Sequence, residues 1–284
     1  MTLRTAPWLL LLLLLPSLGL ALPAVPAHAE EDPKGESSKG EDGKGEGEAG
    51  ADEPERSPLG AADDKNAKAL AAELKKVGKK KNSSVILPVL EKLADLEHKD
   101  FDKPLLKLLK HESSLVALKV ADMWEWRLRD KKLASKLWKA SWGEKKNDRR
   151  YAVKAKTLKA FARGGIALDG KQFKDVERAW RWIVGNPDPR HAPALSAMAD
   201  WVRLSKDKRL FRRLAEELDE PGTDNPNAPS NPPASWWEKR WKLWKDAKPA
   251  VVEALQAITG KEFDKSAEAK AWFDANGKKA GFEW

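Results

Sequence analysis

The chain of 284 residues contains no cysteine. It can therefore hold no disulfide framework, no thiolate metal site and no lipid attached through cysteine. Val, Ile and Thr number only 12, 4 and 5, too few of the residues that favour a pleated surface for a sandwich, barrel or doubly wound sheet. Histidine is scarce as well: beyond His28 only His98, His111 and His191 occur, and none lies in a His-Glu-x-x-His pattern. The nucleophile elbow, the phosphate loop and the calcium loop are also missing. Hydrolase, nucleotide, zinc and calcium chemistry each lack their minimal parts. The sequence implies no catalytic residue, no cofactor, no metal ligand and no small-molecule substrate, and the chain reads as a non-enzyme.

What is present is Ala, Leu, Lys and Glu, the residues of helices. Residues 1–29 carry one base at Arg4, an apolar run from Trp8 to Leu22 broken by Pro16, and the small-residue triplet Ala27-His28-Ala29. That order is a secretory signal peptide. A transmembrane helix needs about 20 apolar residues without such breaks, and nothing later in the chain is comparably apolar. The expected product is exported, periplasmic or extracellular, with no stable membrane span after cleavage.

Residues 30–65 are Gly, Glu, Asp, Lys, Ser and Pro, with 13 acids against 5 bases. Such a segment cannot bury enough apolar surface to offset the entropy of ordering, and it reads as a disordered acidic linker. Gly45 to Gly50 within it satisfies the letter of the dinucleotide fingerprint, but no strand precedes it and its Glu side chains would repel phosphate, so composition explains the match. The body from residue 66 onward holds 47 bases and 31 acids, a net charge of +16. A surplus of this size suits either solubility or attraction to an acidic partner.

Within that body the apolar positions recur at helical spacing. Leu70, Leu74 and Val77 are followed by Val85, Val89, Leu93 and Leu96, with Asn66 and Ser83 placed as amino-end caps. Leu105, Leu108 and Leu109 precede Leu115, Leu118, Ala121 and Trp124. Leu133, Leu137 and Trp138 precede Val153, Leu158 and Phe161, up to the break at Gly164-Gly165. Phe173, Val176, Trp180 and Ile183 precede the Gly185–Pro189 turn and then Leu195, Met198, Trp201 and Val202. The second helix of each pair begins near Ser84, Ser114, Asp148 and Pro189, at intervals of 30, 34 and 41 residues. These are the periods of stacked helical hairpins, each needing its neighbours to bury its apolar stripe.

Lys103 to Lys110 followed by Leu115 to Asp122 resembles the paired helices of HEAT repeats, although the Asp-Val-Arg signature of their second helices is not intact. Ala254-Leu255-Gln256-Ala257-Ile258-Thr259-Gly260-Lys261-Glu262-Phe263, with Trp272-Phe273 downstream, resembles the tail of exported bacterial HEAT-like proteins. The resemblance implies an all-α fold of degenerate hairpins stacked as a short right-handed α-solenoid. Its parts are helical hairpins over 66–220, an exposed Pro/Asn-rich loop over 221–235, and Trp-rich helices over 236–284 that close the array.

Trp237, Trp241 and Trp244 fall at i, i+4 and i+7 on one helical face, interleaved with Lys239, Arg240 and Lys245. Such a stripe either fills space between helix layers or offers a cation-flanked aromatic platform. Trp126 and Trp182 each lie two residues after another Trp, at Trp124 and Trp180, and residues so spaced point about 200° apart on a helix. One of each pair must leave the core or meet a second neighbour. The candidate contact set is therefore Trp237, Lys239, Arg240, Trp241, Trp244, Lys245, Trp126 and Trp182. The expected partner is an envelope or extracellular protein bound to a basic, Trp-bearing surface, with an anionic wall polymer or nucleic acid as the alternative. Asp219, Asp224 and Asn227 read as solvated turn residues, and Asn82-Ser83-Ser84 is a formal glycosylation sequon.

Overall fold

The computed structural model describes residues 59–143, 150–222 and 228–284. The expected signal peptide, the leader as far as residue 58, and the loop residues Asp224 and Asn227 lie outside the described residues. Among the described residues eleven α-helices dominate: α1 Asp64–Val77, α2 Ser83–Leu93, α3 Asp102–Leu108, α4 Ser114–Met123, α5 Lys131–Ser141, α6 Tyr151–Arg163, α7 Gly170–Gly185, α8 Ala192–Ser205, α9 Phe211–Glu216, α10 Ala234–Thr259 and α11 Ser266–Trp272. Two-residue strands β1 Gly60–Ala61 and β2 Leu96–Glu97 pair in parallel, Gly60 with Leu96 and Ala61 with Glu97. The fold is all-α, as the scarcity of β-branched residues predicts.

Local chemistry sets the helix ends. Asp63, rather than Asn66, caps α1, accepting from the amides of Lys65 and Asn66. The ordered body thus begins before residue 66, and Asp63 and Asp64 belong to it rather than to the linker. Asn82, rather than Ser83, caps α2, through the Ser84 amide at 3.0 Å. Asp169 and Gln172 form a reciprocal capping box on α7. Gly260 closes α10 at φ 71°, a left-handed conformation that a side chain would disfavour.

Packing sets the even-numbered helices in one row. Consecutive even-numbered helices lie against each other, α2 on α4, α4 on α6, α6 on α8 and α8 on α10. Among the odd-numbered helices, α3 touches both α1 and α5, and α9 touches α11. One core includes Leu74, Leu90, Phe101, Trp124, Phe161, Trp180, Trp201 and Leu255. Tryptophan fills its widest gaps, since Trp124, Trp180 and Trp201 are all fully buried. At the carboxyl end Phe211 gathers Trp272, Phe273, Phe282 and Trp284 within 6.0 Å between ring centres. Aromatic rings supply large apolar area in a chain without cross-links.

Arginine side chains tie distant helix ends together. The Arg127 guanidinium donates to the carbonyls of Leu93 at 2.7 Å, Ala94 at 2.8 Å, Leu96 at 2.8 Å and also Met123. It thereby satisfies the orphan acceptors at the end of α2. Burial lowers its pKa to about 10, so it stays charged. Before α6, Arg150 donates to the carbonyls of Leu109, at 2.8 Å, and His111, just past the end of α3.

Candidate interaction surface

The predicted contact residues divide into three groups. Arg240 turns inward: it is 7 % exposed and its Nη2 donates to Glu217 Oε2 at 2.7 Å. It belongs to a buried ion pair rather than to a contact surface, because the helical turn that exposes Lys239 and Trp241 points residue 240 at the core. Trp244 is half-buried, its Nε1 donating to the Glu217 carbonyl at 2.8 Å with Lys248 above its ring. Trp237 is half-buried and meets Trp236 edge-to-face at 4.8 Å.

Trp241 stays 38 % exposed, with its Nε1 donating to Glu220 at 2.6 Å and Lys245 lying 5.1 Å from its ring centre. The stripe is thus neither fully core nor a bare platform. Trp237 and Trp244 wedge α10 into the body while Trp241 and Lys245 face outward. Trp126 lies in the turn after α4 rather than on the helix, half-buried, with the Arg163 guanidinium 4.3 Å from its ring centre. A helical-wheel argument does not apply there, since α4 ends at Met123.

Trp182 behaves as the two-residue spacing requires. Trp180 enters the core and Trp182 emerges, 37 % exposed. Its ring stands 5.0 Å from Tyr151 and 5.7 Å from His191. It forms one wall of a cleft of about 430 Å³ between the α7–α8 turn and the start of α10. Asn186, Pro187 and Asp188 make the floor side, Pro233 and Trp236 the opposite side, and Lys239 the rim. Two of the predicted residues, Trp182 and Lys239, therefore share one site although 57 positions separate them. The Trp236 Nε1 ties the two sides together through the Gly185 carbonyl at 3.3 Å.

His191 was not singled out by its sequence context, yet it sits in this cleft with a buried Nδ1 that has no hydrogen-bond partner. Burial lowers its pKa below the usual histidine value, outweighing the attraction of Asp188. Asp188 in turn is held by Arg190, which lowers its carboxyl pKa well beneath the usual range. The cleft offers an apolar aromatic wall, the His191 imidazole, a carboxylate already engaged, the Ser235 side chain and the Lys239 ammonium, which forms no ion pair among the described residues. Such a surface can hold a peptide-like segment with an apolar anchor.

No known protein family, curated protein or solved structure matches the chain.

The functional reading therefore rests on this geometry and on the distribution of charge. The even-numbered row is stitched by cross-helix ion pairs: Asp122 with Lys156, Lys159 with Asp200 at 3.1 Å, and Arg203 with Glu253 at 3.9 Å. The odd-numbered helices carry lysines along one face, Lys132, Lys136 and Lys139 on α5 and Lys171 and Lys174 on α7. A cleft of about 790 Å³ between α5, α6 and α7 is lined by Lys139, Lys171, Lys174 and Arg178 around the parallel stack of Trp138 on Trp142. His98 and His111 are turn residues: their Nδ1 atoms accept the amides of Asp100 at 3.2 Å and Ser113 at 3.1 Å. Among the described residues no cluster of three or more His, Asp or Glu could hold a metal, and no helix is long and apolar enough to cross a membrane.

Proposed function

We propose that this chain is an exported, non-enzymatic binding module, a short HEAT-like α-solenoid that grips a segment of an envelope or extracellular protein in the Trp182 cleft. The side-by-side order of the even-numbered helices supports the solenoid reading. One observation carries the binding reading: Trp182, a large apolar ring left 37 % in water, closes a cleft that a cation, Lys239, overlooks. Exposed aromatic surface beside a polar rim is the pattern of an interaction hot spot.

The partner segment suited to this cleft carries an apolar or aromatic anchor for the Trp182–Trp236 walls and a carboxylate within reach of Lys239. The test is affinity capture from the native envelope with the intact chain and its Trp182→Ala and Lys239→Glu variants. A discrete protein retained at moderate salt by the parent and lost from both variants supports the reading. Equal recovery with all three removes the cleft from the account. A second reading, capture of an anionic polymer, is favoured by the lysine-bearing odd helices; it predicts binding that collapses as salt rises and ignores Trp182→Ala.

A further inference from the structure

Helix α7 lines two clefts with one face. Lys171, Lys174 and Arg178 border the cleft of about 790 Å³ between α5, α6 and α7, while Trp182 and Gly185 border the cleft of about 430 Å³ at the start of α10. These five positions succeed one another at steps of three or four residues, the spacing of a single helical stripe. Tyr151, at the start of α6, lines the first cleft, and its ring stands 5.0 Å from that of Trp182 in the second. The two clefts therefore adjoin along α7, a basic section followed by an apolar one. The basic section has a built wall: Lys154 is only 7 % exposed, its ammonium 5.3 Å from the Tyr151 ring centre and 5.8 Å from that of Trp142. Nearby, Lys139, Lys171 and Lys174 form no ion pair among the described residues, whereas Arg178 is engaged by Asp175 at 3.2 Å. Cations gathered in this way repel one another and are relieved when an anion enters.

We infer that the two sections form one groove, and that its occupant is an extended segment of the partner protein in which a short run of Asp or Glu adjoins the apolar anchor. This inference rests on the reading of the Trp182 cleft as the anchor site and adds the acidic run to it. Charge complementarity calls for the acids, and the helix sets their spacing. Lys174 and Lys171 lie eight and eleven residues before Trp182, which at a rise of about 1.5 Å per residue is about 12–17 Å. An extended chain lying along α7 covers that distance in about three to five residues. The division of the groove favours a peptide over a uniformly charged polymer. Such a polymer would match the lysines but leave the Trp182 and Trp236 walls without an apolar group to cover them.

Fluorescence anisotropy on the intact chain tests this with labelled synthetic peptides. Each probe carries one Trp anchor and a run of four Glu beginning three residues away, in either chain direction; matched controls replace the Glu run by Gln or the anchor by Ser. The Glu peptide of one direction should bind at least tenfold more tightly than both of its controls. Lys171→Glu with Lys174→Glu, at two exposed positions, should erase the gain from Glu and leave the affinity for the Gln peptide unchanged. Trp182→Ala should erase the gain from the anchor. An anchor gain that needs Trp182 but is not increased by Glu would overturn the joined groove and leave the Trp182 cleft standing. Glu binding indifferent to both the anchor and Trp182→Ala would make the basic section a separate anion site and likewise overturn it. So would no binding by any of the peptides, including the case in which heparin or a thymidine oligonucleotide binds instead and is lost from the double lysine variant.

Discussion

Arg240 and Glu217 form a buried pair at 2.7 Å in which neither residue is more than a few per cent exposed, and the Trp244 indole is bonded to the carbonyl of the same Glu217. This contact locks α10 to the end of α9 and thereby fixes the angle at which Trp236 and Lys239 approach Trp182. Arg240 Nη1 is left without a partner, so the pair is not fully satisfied. A pair of this kind stabilises little relative to apolar residues, yet removing one half strands a buried charge. Arg240→Ala should lower unfolding free energy by about 3–5 kcal/mol. The double replacement Arg240→Met with Glu217→Leu should recover most of that loss in a urea titration.

Burial raises the Glu217 pKa above its ordinary value of 4.5, outweighing Arg240. The folded state therefore holds this proton more tightly than the unfolded state does. Its contribution to stability is present in full below the unfolded value and is lost as pH rises through the raised one. Glu217→Gln should flatten the pH dependence of unfolding free energy just above pH 4.5, as measured by denaturant titrations at successive pH values.

His191 gives the opposite sign. Its folded-state pKa lies below the ordinary 6.5 because burial disfavours the imidazolium. Its contribution is present above the unfolded value and lost as pH falls through the folded one. His191→Asn should remove a decline in stability that the parent shows below pH 6.5, and nuclear magnetic resonance of the ring protons should find His191 titrating below that ordinary value.

Arg127 satisfies four carbonyls from inside the core. Arg127→Met keeps much of the volume and removes every donor. The expected cost is about 3–5 kcal/mol, comparable to breaking a buried pair. Arg127→Lys should recover only part of it, since an ammonium cannot span the Leu93, Ala94 and Leu96 acceptors as a planar fork does. Thermal unfolding of the two variants decides the ranking.

The sequence displayed the helices because their apolar residues recur along each segment, and it displayed the fold class because Val, Ile and Thr are scarce. The second-helix start at Ser114 coincides with the observed element, that read at Asp148 lies outside the described residues, and that at Pro189 lies in a single 3₁₀ turn before α8. The caps slipped by one to three residues, from Asn66 to Asp63 and from Ser83 to Asn82, because several cap-competent side chains stand in a row. Trp182 was legible through its spacing from Trp180. Trp126 was not, since nothing in its neighbours announces that α4 stops at Met123. Arg240 was misplaced because its charge suggests a surface while its register on α10 points it at Glu217, a residue 23 positions away. The cleft itself was hidden for the same reason: it joins the Gly185–His191 turn to Pro233–Lys239, and only packing brings them together.

The most direct test of the binding account places a photoreactive benzophenone amino acid at position 239, at the rim of the cleft, and irradiates cells of the native host. The account predicts one discrete protein adduct, resistant to salt and abolished by a Trp182→Ala change in the same chain. No adduct, or the same adducts from a control position at Lys278, would contradict it.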